Sequence, residues 1–429
     1  MDYRDTIDYL YSKLPVFHRI GATAYRPDLG NIVKLCDALG QPHREFRSLH
    51  IGGTNGKGSV SHMLAAILHQ AGYKTGLYTS PHLVDFRERI RVNGQMIPES
   101  EVIDFVSSQR PLIESLKPSF FEVTVAMAFD FFARQKVDIA VVEVGMGGRL
   151  DSTNIVHPDL SVITNIGFDH VQILGNTLEA IAGEKAGIIK SGIPVVIGEF
   201  QEATAAVFNQ KAKESGSPIY FASRDWEVHT TPTGLSPFLN LTATSKRWHK
   251  ELSLALDLTG RYQLKNIKTV LTAIAVLRQA DYRIEDRHLH DALNNVKQLT
   301  GFAGRWQILS TQPLVVCDTA HNESGIREIL IQLAATPHDR LHVVFGMVND
   351  KEVDKVLDML PKDARYYFCK ADVPRAMDAQ ALHRIASESG LQGTFFPSVK
   401  AAISAAREQA GADDLIFIGG STFVVAEAI

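Results

Sequence analysis

Between an apolar segment and a helical one lies the stretch His50 to Ser59, HIGGTNGKGS, in which four glycines precede or flank a lysine and a serine. Phe46 to Ile51 has the composition of a buried strand and Ser59 to Ala71 the spacing of a helix, so the glycines fall in a strand-to-helix turn. A turn of that kind curls its N–H groups inward, and the following helix adds the positive end of its dipole. Together these make a phosphate site. Thr54, Asn55, Gly56, Lys57, Gly58 and Ser59 are the candidate nucleotide contacts, with Lys57 reaching the outer phosphates and Ser59 able to hold Mg²⁺. Gly58 separates Lys57 from the hydroxyl residue, a departure from the commonest loop, G-x-x-x-x-G-K-[ST]. The competing reading is a glycine-rich turn with an incidental solvated lysine.

A chain of 429 residues exceeds one ordinary core. Two domains are expected, residues 1–298 and 299–429, with Leu299 to Gly304 (LTGFAG) as linker and hinge. Hydrophobic content of 45% and charged content of 21% suit a soluble globular protein. A net charge of −4 without a basic block argues against a nucleic-acid partner. The charged N-terminal stretch MDYRDTIDYLYSKL lacks a signal-peptide core and no apolar run reaches membrane-spanning length, so a cytoplasmic protein without a membrane partner is expected. Cys36, Cys317 and Cys369 lie far apart without metal-ligand spacing and read as reduced core residues.

Helical spacing marks Asp2 to Leu14 and Asn31 to Leu39, joined by a loop holding Phe17, His18, Arg19 and Pro27. Strands and helices then alternate: a strand to Tyr78 ending in Thr79-Ser80-Pro81-His82, a hairpin turning at Asn93-Gly94, and the nearly apolar Val137 to Val144. Leu160 to Ile166 reads as a further strand leading into Gly167-Phe168-Asp169-His170, and Leu178 to Ile189 as a helix. Trp226 to Leu258 changes to short alternating segments, an antiparallel patch at one edge of the sheet. A second alternation starts at Leu314. The fold class is therefore α/β: a doubly wound, mainly parallel sheet with a P-loop-type nucleotide site, plus a smaller C-terminal α/β domain.

Parallel sheets place ligands at the carboxyl ends of their strands. Glu143 ends a strand there and suits Mg²⁺ as a hard oxygen ligand; a glutamate bonded to its own turn is the alternative. Ser80 and His170 follow strands at the same edge, although imidazole is an uncommon Mg²⁺ ligand and a satisfied core histidine competes. Lys185, beside Glu184 in a helix, reads by itself as a solvated lysine. Asp318 and His321 follow the first central strand of the second domain, and Arg305 follows the linker, where a cation can reach a phosphate. For these three an interdomain salt bridge or a helix cap is the alternative.

Taken together, GTNGKGS, TSPH with FRERIRVNG, FFEVTVAMAF, EVGMGGRLDSTN, ITNIGFDH, EKAGI, GRYQLKN, AGRWQ, DTAHN and GGSTF resemble the folylpolyglutamate synthase and dihydrofolate synthase family, a branch of the Mur ligase superfamily. The resemblance implies ATP-dependent addition of L-glutamate to dihydropteroate, a reduced folate or both, through an acyl phosphate, by a monomer. It implies that Lys57 and its loop hold ATP, that Ser80, Glu143 and His170 position Mg²⁺, and that Lys185 is carbamylated to become another metal ligand. Asn266 matches an adenine contact, Arg305 a phosphate contact, Asp318 a ribose contact and His321 a residue near the phosphates. Phe120, Phe121 and Glu122 with Leu150, Asp151 and Ser152 match a pterin pocket; helix packing for the two phenylalanines and a cap for Asp151 are the plainer readings. A ligase acting on a UDP-linked precursor and a nucleotide-switched binding module are the competing functions; the first lacks an evident UDP-binding domain, and the second leaves the metal set and Arg305, Asp318 and His321 without a purpose.

Overall fold

The computed structural model describes residues 1–16, 28–230, 236–349 and 353–429. The expected loop with Phe17, His18, Arg19 and Pro27 lies outside the described residues. Two compact units result: Met1–Asp257 with Tyr262–Phe302, and Leu258–Arg261 with Ala303–Ile429. Leu299 and Thr300, expected in the linker, complete the helix Val296–Thr300 of the first unit. Thr300 Oγ1 pairs there with His62 Nδ1 at 2.8 Å, which holds the segment to the helix Lys57–Gln70.

In the first unit the strands are β1 (Arg47–Gly52), β2 (Thr75–Tyr78), β3 (Ile90–Val92), β4 (Gln95–Met96), β5 (Ile139–Glu143), β6 (Leu160–Ile163), β7 (Val195–Ile197) and β8 (Ile219–Phe221). They form one sheet in the order β4-β3-β2-β5-β1-β6-β7-β8. From β2 to β8 the neighbours are parallel; β3 and β4 add an antiparallel hairpin turning at Asn93 and Gly94, both at positive φ. Every residue of β5 is buried, as the unbroken run IAVV requires of a strand covered by helices on both faces. The chain leaves β1 toward β2 and leaves β6 in the opposite direction toward β7, so the sheet's switch point opens between the carboxyl ends of β1 and β6.

β9 (Glu227–Thr230), β10 (Leu239–Ser245) and β11 (Lys250–Leu256) make a separate three-stranded antiparallel sheet rather than an edge of the first one. Alternate residues of β10 and β11 are buried, so this ribbon has a core face of its own.

The second unit orders its strands β12-β13-β17-β14-β15-β16, where β12 is Gln307–Thr311, β13 Leu314–Cys317, β14 Leu341–Phe345, β15 Arg365–Phe368, β16 Gln392–Phe395 and β17 Leu415–Gly419. Only β12 runs antiparallel, and it carries an irregularity between Ile308 and Ser310. Its pairing was not legible because no alternation survives along a half-covered edge strand. Among the described residues no helix is long and apolar enough to cross a membrane.

Candidate active site

Past β1 the backbone enters conformations open chiefly to glycine: φ is +136° at Gly53 and +85° at Gly56. A Cβ at Gly53 would strike Thr164 Oγ1, and one at Gly56 would strike Asn266 Oδ1. The helix Lys57–Gln70 then starts without a side-chain cap, leaving its first-turn N–H groups for another acceptor. Gly53→Ala combines a disfavoured φ with that collision. It is expected to cost about 2–4 kcal/mol, read as a lowered urea midpoint with unchanged slope.

Residues that sequence reasoning did not single out hold the loop. The chain after β6 zips onto it: Thr54 N donates to Asn165 O at 2.9 Å, Asn55 N to Asn165 Oδ1 at 2.9 Å and Gly167 N to Thr54 Oγ1 at 3.0 Å. Thr164 Oγ1 donates to Asn55 O at 2.6 Å, and Asn165 Nδ2 to Glu199 Oε1 at 2.8 Å. From the opposite side Gln263, fully buried, donates to Ser59 Oγ at 3.1 Å and accepts from Asn266 Nδ2 at 2.7 Å. The signal was polar side chains at structural junctions: Thr164-Asn165 after an apolar strand, and Gln263 one helical turn before Asn266, itself an expected contact.

Two lysines converge on one carbonyl. Lys57 Nζ donates to Gly53 O at 3.1 Å and Thr54 O at 3.0 Å; Lys185 Nζ donates to Gly53 O at 2.9 Å. Lys185 is 4% exposed, which overturns the solvated reading. Its neighbour Glu184 faces Arg149 instead, in an ion pair of 2.8 Å, and the helix Leu178–Ala186 turns Lys185 inward. Glycines let the Gly148–Arg149 segment lie against this helix: a Cβ at Gly148 would be 2.9 Å from Glu184 O, and one at Gly187 would strike Arg149. Burial lowers the Lys185 pKa to about 7, helped by the Lys57 charge and opposed by Asp169 and Asp151.

Glu143 is the last residue of β5 and is buried; its Oε2 accepts from Ser80 N at 3.0 Å, which brings these two expected ligands together. Its Oε1 would lie 3.8 Å from a Cβ on Gly58, so it faces the start of the phosphate-loop helix. A buried carboxylate beside the half-buried Ser80 offers the oxygen chemistry that a hard divalent cation takes. His170 does not end a strand as expected: β6 stops at Ile163, and although Thr164 N still donates to Gly52 O at 3.0 Å, residues 165–167 bond to Thr54, Asn55 and Gln201. His170 is exposed, with φ +48°, at the start of the short helix Val171–Leu174, and its Nε2 lies 3.6 Å from Asp169 Oδ1. Among the described residues no three His, Cys, Asp or Glu side chains gather as a metal group; Glu143 and His170 are the two of those types in the expected set.

Phe120 stacks on Tyr11 with centroids 4.9 Å apart and is buried, while half-buried Phe121 lies where a Cβ on Gly145 would be 2.7 Å from its Cε2. Glu122 Oε2 accepts from Ser119 N at 2.6 Å and Ser119 Oγ at 2.8 Å, a capping box. Leu150 is half-buried, and buried Asp151 caps the turn Ser152–Ile155. The plainer readings, packing for Phe120 and a cap for Asp151, are thus both present.

In the second unit Asp318, at the end of β13, accepts from Trp306 N at 2.7 Å and from Ala320 N at 2.9 Å. Arg305 is half-buried; His321 is exposed, with Nδ1 3.0 Å from Thr319 O.

Residues 51–277 match the Mur ligase middle domain, and residues 304–422 match the Mur ligase glutamate ligase domain. The Bacillus subtilis dihydrofolate synthase/folylpolyglutamate synthase is 33% identical over 99% of this chain and 98% of that protein. The chain belongs to the folylpolyglutamate synthase/dihydrofolate synthase family of the Mur ligase superfamily. It spans about half the length of another relative, the probable bifunctional folylpolyglutamate synthase/dihydropteroate synthase of Haloferax volcanii, which is 33% identical over 100% of this chain and 50% of that protein. A solved bifunctional folylpolyglutamate synthase/dihydrofolate synthase with Mn, AMPPNP and L-glutamate bound superposes with a TM-score of 0.82, 28% identity, and coverage of 100% of this chain and 97% of that one. As a family member the chain is an ATP-dependent ligase. The middle-domain match takes in the whole phosphate-loop network, Asn165 and Gln263 included, and the glutamate ligase match takes in Arg305, Asp318 and His321.

Proposed function

We propose that the chain joins L-glutamate to the carboxylate of dihydropteroate, of a reduced folate, or of both, using ATP and Mg²⁺. The observation that carries this reading is the convergence of Lys57 and buried Lys185 on Gly53 O, beside an uncapped helix start. A carboxylate is a poor electrophile, so one of its oxygens first takes the γ-phosphoryl group of ATP, and ADP leaves. The α-amine of glutamate then attacks the carbonyl carbon, orthophosphate departs with the electrons of the C–O bond, and the amine gives up a proton. Lys57 exchanges its two carbonyl partners for phosphate oxygens, which concentrates its charge where negative charge develops. Ser80, Glu143 and His170 would hold the metal, which would offset repulsion between phosphate and carboxylate.

With its pKa lowered to about 7, Lys185 is neutral at neutral pH far more often than a free lysine and able to attack CO₂; the carbamate forms as a proton is lost. That group would be a further oxygen ligand. Asn266 serves the adenine, and Arg305, Asp318 and His321 serve the phosphates and ribose. Phe120, Phe121, Glu122, Leu150, Asp151 and Ser152 serve the acceptor, since flat rings and a carboxylate suit a pterin. The reading places a monomer in the cytoplasm, acting on small molecules. The test is phosphate release with ATP, Mg²⁺ and L-glutamate, supplying dihydropteroate or tetrahydrofolate, with products weighed by mass spectrometry. A product heavier by one glutamyl residue is expected with at least one acceptor. ATP binding without product from either acceptor would sink the reading.

A further inference from the structure

We propose that His50 is a positioning residue for the acceptor: through the Thr153 hydroxyl it orients the Asp151 carboxylate. This rests on the reading of Asp151 as an acceptor residue. His50 is wholly buried on β1, two residues before Gly52, and its Nε2 lies 2.8 Å from Thr153 Oγ1. Thr153 Oγ1 donates in turn to Asp151 Oδ1, and a hydroxyl has one hydrogen to give. The contact with His50 must therefore be one in which the hydroxyl accepts, so the imidazole carries its hydrogen on Nε2. Nδ1, buried with no hydrogen-bond partner, is left as a bare lone pair rather than an orphaned N–H. Burial, with Lys190 adding to it, holds the ring neutral by pushing its pKa down to about 3.

The relay ends where the acceptor segment is tied together. Asp151 Oδ1 also accepts from Thr153 N at 3.0 Å, and Oδ2 accepts from Met146 N at 2.8 Å, so one carboxylate closes the loop from Gly145 to Ser152. Gly145 sits against the Phe121 ring. A carboxylate that loses the Thr153 hydroxyl as a fixed donor turns, and the loop with its ring contact turns with it. The strand that delivers the phosphate loop thereby also sets the acceptor segment, with no side chain of the relay in the phosphate loop itself.

Imidazole ¹⁵N shifts of the whole protein, labelled at histidine and assigned by loss of the His50 signal in a variant, are expected to show hydrogen on Nε2. His50→Gln keeps a donor near the Nε2 position, whereas His50→Asn places its donor near Nδ1. His50→Leu and His50→Asn should raise the acceptor KM about tenfold, with the KM for ATP within about twofold of wild type, and His50→Gln should stay close to wild type. A Nδ1-protonated ring, or equal acceptor KM in all three variants, overturns the proposal. Asp151→Ala is measured alongside: if it raises the acceptor KM while His50→Leu does not, the relay alone fails, and if Asp151→Ala leaves that KM unchanged, the acceptor role of Asp151 fails and the proposal with it.

Discussion

Replacing Lys185 by methionine should abolish turnover and, in the same protein, raise the melting temperature below neutral pH. The two effects have one cause. The folded chain holds this amine at a pKa of about 7 against 10.5 for the free side chain, so between those values the unfolded chain binds one more proton. Wild-type stability consequently rises as pH climbs from 7 toward 10.5, and the destabilisation is complete below 7, where both states are protonated and the charge is buried. Its ceiling is on the order of 5 kcal/mol, reduced by the hydrogen bond to Gly53 O that methionine cannot make. Methionine is of similar length and apolar, so the variant should melt several degrees higher at about pH 6, with the gap closing by about pH 10. Turnover should fall about 10³-fold or more, because neither an amine nor a carbamate remains near the phosphate loop. Calorimetry in CO₂-free buffer without nucleotide or metal reads the first effect, and phosphate release reads the second. A pH-independent gap would mean that Lys185 keeps its ordinary pKa, and a variant turning over at the wild-type rate would remove the residue from the chemistry.

Lys185 also marks the limit of what the amino-acid sequence makes legible. The glycine loop was readable because its chemistry is local: glycines, a lysine and a hydroxyl in order between two periodic segments. The burial of Lys185 depends on contacts distant in sequence, namely Gly148 and Gly187 allowing two backbones to approach, and Glu184 being drawn outward by Arg149. Nothing in the spacing of EKAGI reports that. His170 shows the same limit in the other direction. A segment continuing to Ile166 reads as strand, yet past Thr164 the hydrogen bonds go to Thr54, Asn55 and Gln201, and β6 ends at Ile163. The sheet's switch point explains why the chain departs there: the segment after β6 is wanted against the loop after β1. Gln263 escaped because a glutamine at the start of a helix reads as solvated until Ser59 is found beside it. Likewise the excursion Leu258–Arg261 into the second unit is four residues long, too short to shift any composition, although Arg261 N is bonded there to Gln332 Oε1 at 2.7 Å.

Replacing Lys57 by methionine should lower turnover about 10³-fold and raise the KM for ATP, as loss of a cation on the transferring phosphates requires. A second effect reaches Lys185. The Lys57 charge is one reason the Lys185 pKa is low, ranking after burial, and both ammonium groups lean on the same Gly53 oxygen. Without Lys57 the protonated form of Lys185 is favoured: its pKa rises, and less neutral amine is present at neutral pH to capture CO₂. With ¹³C-bicarbonate, the carbamate signal of Lys57→Met should therefore be weaker than that of wild type at neutral pH and recover as pH is raised. The double replacement of Lys57 and Lys185 should cost far less than the product of the single losses, since the two lysines act on one carbonyl and one charge balance. A carbamate signal unaffected by Lys57→Met, or strictly multiplicative losses in the double variant, would show that the lysines work independently and that their convergence on Gly53 is packing alone.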